Sequence, residues 1–331
     1  MYTLRPYQQD ILSKVRGHVA EGKKKILVFA ATGAGKTIMA HDIIAGALRR
    51  RNRVLFTAHR IQLAEQSAEK FKDFDMGYVQ GASKDSSKPL TVGTLQTIIN
   101  TDMVAPNVVI IDEVHYGFES NMIQSLFERF PDAIFIGLSA TPVNERGFLL
   151  DGFEAIIDDY QTVDLINAGA LVPFDIMSTP VINTVGLRKT GESYDECELE
   201  KRVVKEDINR SVVENYMQHG CNKKFICFGV NKKHCKALKE EFGTQGYVTE
   251  VIDADTPKKK REKILSDFSK GKINGLISIE ILTAGFDEPS IECVILATKV
   301  GSWRKYIQMV GRGIRLYEGK TKCILLDLGS N

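Results

Sequence analysis

No apolar run in the 331 residues approaches the roughly 20 needed to span a bilayer, and the opening Met1-Tyr2-Thr3-Leu4-Arg5 lacks the apolar core of a secretion signal. The reading is a soluble, cytoplasmic chain with no membrane partner. There is a single tryptophan, Trp303, which as a helix-start aromatic is expected to pack rather than to stack on a base. The six cysteines include no Cys-x-x-Cys pair. Several lie in apolar strand-like runs, as buried reduced thiols do. A zinc site from Cys221, Cys227 and Cys235 with His219 or His234 would match no usual ligand spacing. Neither sign of charge dominates: 44 basic residues face 42 acidic ones. Net charge therefore neither requires nor excludes a polyanionic partner, and the basic clusters at 23–25, 49–53, 223–224, 232–233 and 258–261 read as solvated helix ends and loops.

What the sequence has is alternation. Strand-like runs at 26–29, 54–57, 90–92, 108–111 and 133–138 are separated by helix-like segments at 38–48, 61–71, 95–99 and 122–130, after an amphipathic run at 11–19. Strands apolar on both faces and separated by helices predict a mainly parallel sheet flanked by helices. From about 147 to 206 the pattern loosens into acidic, Gly- and Pro-containing sequence, read as a connection with extra strands or a hairpin. Alternation then resumes, with strands at 225–228, 248–252, 275–279, 293–297 and 323–328 and helices at 208–217, 232–242, 257–268 and 302–310. The expectation is two tandem α/β domains, 1–168 and 169–331.

The polar, chemically loaded residues fall just after strands, where open α/β sheets bind ligands. Foremost is Ala30-Ala31-Thr32-Gly33-Ala34-Gly35-Lys36-Thr37, between a strand and a helix start. It fits a P-loop with Ala30 in place of the usual first glycine. Backbone N–H groups and a helix dipole would cradle phosphate, Lys36 would meet the β/γ oxygens, and the Thr37 hydroxyl would ligate Mg²⁺. Asp112-Glu113 ends the apolar strand at 108–111. Beside a phosphate site these acids divide the work: Asp112 holds Mg²⁺ and Glu113 accepts a proton from the attacking water. The second half has no Gly-Lys-Thr and is expected to bind no nucleotide of its own.

Gln8, the Gly33–Thr37 loop, Asp112-Glu113-Val114-His115, Ser139-Ala140-Thr141-Pro142, Thr283-Ala284-Gly285-Phe286-Asp287 and Gln308-Met309-Val310-Gly311-Arg312-Gly313-Ile314-Arg315 occur in an order that resembles superfamily 2 helicases over nearly the whole chain. Within that superfamily, Leu4-Arg5-Pro6-Tyr7-Gln8-Gln9 and the ending Cys323-Ile324-Leu325-Leu326-Asp327 resemble the bacterial RadD helicase-like proteins, whose cysteine-rich tail has no counterpart here.

The resemblance implies two RecA-like domains with ATP in the cleft between them. Arg5 and Gln8 would contact adenine, Thr32, Gly33, Ala34, Gly35, Lys36 and Thr37 the phosphates, and Gly285 and Asp287 the ribose side. Gln308, Arg312 and Arg315 would act on the γ-phosphate; three residues apart, the two arginines would project alike from a helical turn, although alone they read as a basic helix end. His115, Ser139 and Thr141 would couple nucleotide state to motion. Arg60, Thr94, Gln96 and Thr283 would hold strand phosphates without reading bases, although Thr94 is equally explained as a helix cap. The expected activity is ATP-driven movement on single-stranded or branched DNA by a monomer, in repair or recombination, with replication or recombination proteins as partners. An RNA helicase, the motor subunit of a restriction or defence complex, and a nucleotide-gated binding module remain as alternatives.

Overall fold

The computed structural model describes residues 2–331 except 82, 119–120, 142–151, 191–192, 204–205, 221, 254, 280–287 and 330. Pro142, Cys221, Thr283, Gly285 and Asp287 therefore lie outside the described residues. The chain divides into two units, Met1–Leu165 and Ile166–Asn331.

The first unit contains β1 (Lys25–Phe29), β2 (Val54–Ala58), β3 (Met76–Gln80), β4 (Ser83–Lys84), β5 (Leu90–Thr94), β6 (Val108–Asp112), β7 (Ile134–Ser139) and β8 (Ala155–Ile157). They form one sheet in the order β4-β3-β5-β2-β6-β7-β1-β8, parallel throughout except for the short edge strand β4. The helices are α1 (Pro6–Ala20), α2 (Lys36–Arg49), α3 (Ile61–Lys70), α4 (Leu95–Ile99), α5 (His115–Phe118), α6 (Met122–Arg129) and α7 (Thr162–Asn167), the last reaching into the second unit. β2, β5 and β6 are buried along their whole length. Leu27, Leu55, Val109, Ile111, Phe127 and Phe135 belong to one apolar cluster, so the runs that read as two-faced strands are the ones covered on both faces.

The second unit contains β9 (Phe174–Ser178), the hairpin β10 (Lys189–Thr190) and β11 (Ser193–Tyr194), then β12 (Phe225–Phe228), β13 (Thr249–Ile252), β14 (Gly275–Ser278), β15 (Cys293–Leu296) and β16 (Cys323–Asp327). Its main sheet runs β13-β14-β12-β15-β16-β9, all parallel. Its helices are α8 (Glu196–Val203), α9 (Glu206–Asn215), which continues into a π-turn at Tyr216–Gly220, α10 (Lys232–Thr244), α11 (Lys258–Ser269) and α12 (Trp303–Val310). Tyr216, Phe225 and Phe242 are fully buried, with ring centroids 4.4 Å (Tyr216–Phe225) and 4.7 Å (Phe225–Phe242) apart. Each such ring contributes roughly 1.5–3 kcal/mol of burial.

The loosened segment thus holds strand β8, the edge strand β9 and a hairpin. Strand β3 went unread because its exposure alternates along an otherwise polar stretch. Trp303 departs from the packing expectation. It is 68% exposed and stacks on Tyr306 at 5.4 Å, because the buried face of α12 carries Arg304, Gln308 and Met309. Cys227, Cys235, Cys293 and Cys323 are buried and Cys197 is exposed. Among the described residues no cluster of His, Cys, Asp and Glu could hold a metal ion, and no helix is long and apolar enough to cross a membrane.

His234 is fully buried in the first turn of α10, where its Nδ1 accepts from the Val230 N–H at 3.2 Å. Burial pushes its pKa down to about 4. An unfolded imidazole titrates near 6.5, so between about pH 6.5 and 4 the unfolded chain binds the additional proton and unfolding is favoured as pH falls. The contribution is whole above about pH 6.5 and lost by about pH 4. Urea unfolding across that window should show wild type losing on the order of 2–3 kcal/mol relative to His234→Gln; parallel curves would show that the imidazole is not held neutral.

Candidate functional site

The loop between β1 and α2 is shaped by its glycines. Gly33 and Gly35 take φ of 89° and 81°, left-handed values that other residues adopt only with strain. The Ala34 N–H bonds to the Ala31 carbonyl, and the loop is tied to β7 by the Ala30 N–H on the Ser139 carbonyl at 2.9 Å. From the opposite side α1 holds it: the Tyr7 hydroxyl and the Gln8 side-chain amide both donate to the Ala34 carbonyl, at 2.8 and 2.9 Å. Gln8 Oε1 also accepts from the Arg5 N–H at 3.0 Å. Arg5-Pro6 is accordingly the start of α1, and the Gln8 amide links that start to the loop.

Lys36 opens α2 and turns back across the loop, its Nζ 3.3 Å from the Ala30 carbonyl and 3.6 Å from Glu113 Oε1. Both side chains are largely buried, at 11% and 18% exposure. Asp112 ends β6 and is 8% exposed. Burial and, next, the Glu113 charge push its pKa up to about 6, which Lys36 only partly offsets. Lys36 thus faces both carboxylates, and the more distant Lys70 ammonium also favours the charged form of Asp112. Glu113 itself sits at φ 48°, a left-handed value costly for a side-chain-bearing residue.

The carboxylates lead to a buried relay. His115 Nδ1 lies 2.8 Å from Ser139 Oγ and 3.5 Å from Glu113 Oε2. The Ser139 hydroxyl donates to the Thr141 carbonyl and accepts from the Thr141 N–H. With that hydroxyl proton committed, the hydrogen bond to His115 requires the proton on Nδ1. The buried hydroxyls of Thr32 and Thr141 have no hydrogen-bond partner within the protein.

A divalent cation with phosphate and water ligands fits this donor set. An oxygen-seeking ion of that kind needs one or two protein oxygens, and Asp112 is a buried carboxylate whose charge is poorly compensated. Thr37, in the first turn of α2, adds a hydroxyl.

Sequence candidates elsewhere are distributed as follows. Arg60 is exposed at the start of α3, and Gln96 is exposed on α4. Thr94 is buried at the N-cap position of α4, but its hydroxyl lies 2.8 Å from that of Thr97 and makes no capping bond to the helix backbone. In the second unit Gln308 is 8% exposed on α12. Arg312 follows the helix on a tighter turn, its N–H bonded to the Met309 carbonyl, and Arg315 lies beyond that turn. Sequence reading missed Tyr7, whose hydroxyl shares the Ala34 carbonyl with Gln8. Its adjacency to Gln8 was the available signal.

The chain is similar to known proteins over most of its length. Residues 1–144 match the family described as type III restriction enzyme, res subunit, and residues 208–317 match the helicase conserved C-terminal domain. A Schizosaccharomyces pombe protein described as a mitochondrial ATP-dependent helicase, irc3, is 30% identical over 348 residues, covering 98% of this chain and 57% of the relative. The chain spans 51% to 64% of the length of three such curated relatives. Among solved structures, a fragment of an HsdR-type subunit of a type I restriction enzyme from Vibrio vulnificus YJ016 aligns over 100% of this chain and 65% of its own, with TM-score 0.74 and 23% identity. The Type ISP restriction-modification enzyme LlaBIII bound to DNA aligns over 98% of this chain and 27% of its own, with TM-score 0.72 and 16% identity. At those identities the two structures establish the fold.

Gly35→Ala tests the loop geometry. The added methyl would meet Gln8 Nε2 in a left-handed backbone position. The variant should lose about 1–3 kcal/mol of stability, read as a lowered thermal midpoint; an unchanged midpoint would mean the loop is looser than described.

Proposed function

The chain belongs to the superfamily 2 helicases, and on that premise we propose that it is an ATP-dependent DNA translocase whose ATP turnover is stimulated by single-stranded or branched DNA. The observation that carries the reading is the Lys36–Glu113 pair, with buried Asp112 beside it and His115 and Ser139 behind it, at the mouth of a glycine-shaped loop. That arrangement suits a nucleotide: Asp112 and Thr37 would hold a Mg²⁺ ion, which would supply positive charge beside the phosphates, Lys36 would contact the phosphate oxygens, and Glu113 would accept the water proton.

In this reading Thr32 to Thr37 hold the phosphates, Arg5 and Gln8 the adenine, and Gly285 and Asp287 the ribose. Gln308, Arg312 and Arg315 act on the γ-phosphate, where such arginines are worth roughly 10³–10⁵ in rate. His115, Ser139 and Thr141 relay the nucleotide state, since they already form one buried chain with Glu113. Arg60 and Gln96, both exposed, contact strand phosphates together with Thr283. Thr94, at the start of α4, is the remaining candidate for such a contact.

The preference for DNA is supported by the resemblance to restriction-enzyme motors, one of them bound to DNA. The same resemblance favours a second reading, the motor part of a restriction or defence assembly. Work on repair or recombination intermediates is the first reading's cellular setting.

ATP turnover measured without nucleic acid and with single-stranded DNA, branched DNA and RNA tests both substrate and activity. DNA should stimulate more than RNA, and Lys36→Ala should abolish turnover. Arg315→Ala should lower the maximal rate at least about a hundredfold while changing ATP affinity little; an unchanged rate would remove Arg315 from the chemistry.

A further inference from the structure

The helicase reading leaves open how an engaged strand reaches the residues that hydrolyse ATP. β2 and β6 are neighbours, with Ala58 opposite Asp112, so the loops leaving them run side by side. The first carries His59 and Arg60, the second Glu113, His115 and Tyr116. The side chains that join the loops are aromatic. His59 and Tyr116 stack nearly flat, with ring centroids 5.2 Å apart and planes 13° from parallel, and Tyr116 lies against His115 at 4.4 Å. The Tyr116 N–H also bonds to the Glu113 carbonyl at 3.1 Å. One ring is thus fixed on one side to the strained turn that aims Glu113, and on the other to the residue preceding Arg60.

We propose that the His59–Tyr116 stack is a positioning pair that transmits strand engagement at Arg60 to Glu113. The inference rests on the helicase reading and deepens it. His59 is exposed, so a strand bound at Arg60 can shift its ring, whereas Tyr116 is half-buried against His115 and has few other ways to move. A flat offset stack resists sliding apart but tolerates small in-plane shifts, which suits a contact that carries displacement. Glu113, at φ 48°, is held in its turn by its N–H on Asp112 Oδ1 at 3.0 Å and by the Tyr116 bond. Moving Tyr116 therefore changes where the Glu113 carboxylate points. His115, bonded to Ser139, fixes the far side of the assembly.

Steady-state ATP turnover of the full chain, with and without a saturating single-stranded DNA oligonucleotide, should be compared for wild type, His59→Ala, Tyr116→Phe, Tyr116→Ala and the double alanine variant, alongside oligonucleotide affinity by fluorescence anisotropy. His59→Ala should keep its unstimulated turnover within about twofold and its oligonucleotide affinity within about threefold, and lose about five- to tenfold of the stimulation, a coupling of ordinary size. Tyr116→Phe, which keeps the ring, should behave as wild type. The double variant should be no worse than either single one, as members of one contact are non-additive.

Full stimulation in His59→Ala, losses that multiply in the double variant, or an equal fall in unstimulated turnover would each overturn the inference. His59→Ala and Tyr116→Phe carry the test even where Tyr116→Ala does not fold. A wild type that no nucleic acid stimulates removes the helicase reading and the inference with it; a stimulated wild type with an equally stimulated His59→Ala removes the inference alone.

Discussion

The first unit depends on a close grouping of charge: the Lys36 ammonium stands 3.6 Å from Glu113, beside the buried carboxylate of Asp112, in a place nearly closed to water. In bulk water two charges at that separation interact by only about 1 kcal/mol, and several times more at a half-buried edge. The same burial, and next the Glu113 charge, lift the pKa of Asp112 to about 6, and Lys36 offsets only part of that rise. A buried carboxylate with a raised pKa favours a cation beside it, and a lysine held by a carboxylate can be drawn off by an anion. Phosphate with a divalent cation answers both demands at once. A lone anion would leave the acids unbalanced, and a lone cation would leave Lys36 on Glu113.

Sheet register places these groups. Phe29 pairs with Ser139 and Ala58 with Asp112, so strands β1, β7, β6 and β2 end at nearly one level and their following loops share one edge. None of the polar residues could hold its position without the apolar runs behind it. Val108 to Ile111 are buried on both faces, which leaves β6 no freedom to slide and thereby fixes where Asp112 emerges. The buried chain from Glu113 through His115 to Ser139 then crosses from β6 to β7 over a pairing that is already rigid.

Much of this was legible in the residues. Runs buried on both faces announced the parallel sheets, and Gly-Lys-Thr and Asp-Glu after strands marked loops that the structure brings together, with Lys36 3.6 Å from Glu113. The unread parts share a physical reason: local sequence does not determine which face is covered. β3, next to the sheet edge, has alternating side-chain burial and β9, at an edge, is mostly exposed, so both lack the continuous apolar signal. Trp303 resembles packing but sits on the outer face of α12. The left-handed turn at Glu113 has no glycine to mark it, and the ring stack of His59 on Tyr116 joins residues far apart in sequence.

Gln8 shows how one side chain serves the fold and a ligand together. Its amide has two donor hydrogens and an oxygen with two lone pairs. The Arg5 N–H takes one lone pair and the Ala34 carbonyl one hydrogen. The Tyr7 hydroxyl is a further hydrogen-bond neighbour of the amide, and in the proposed reading the amide's remaining capacity meets the amino group and ring nitrogen on the edge of adenine. At 2% exposure the amide cannot rotate to a new set of partners without breaking both existing bonds, so its remaining groups are aimed before any base arrives. Orientation is thereby settled by folding, and the entropy of ordering that amide is not charged to nucleotide binding. The same economy carries a penalty: a substitution at Gln8 loosens α1 from the phosphate loop as well as removing a contact to the base, so stability and nucleotide affinity fall together.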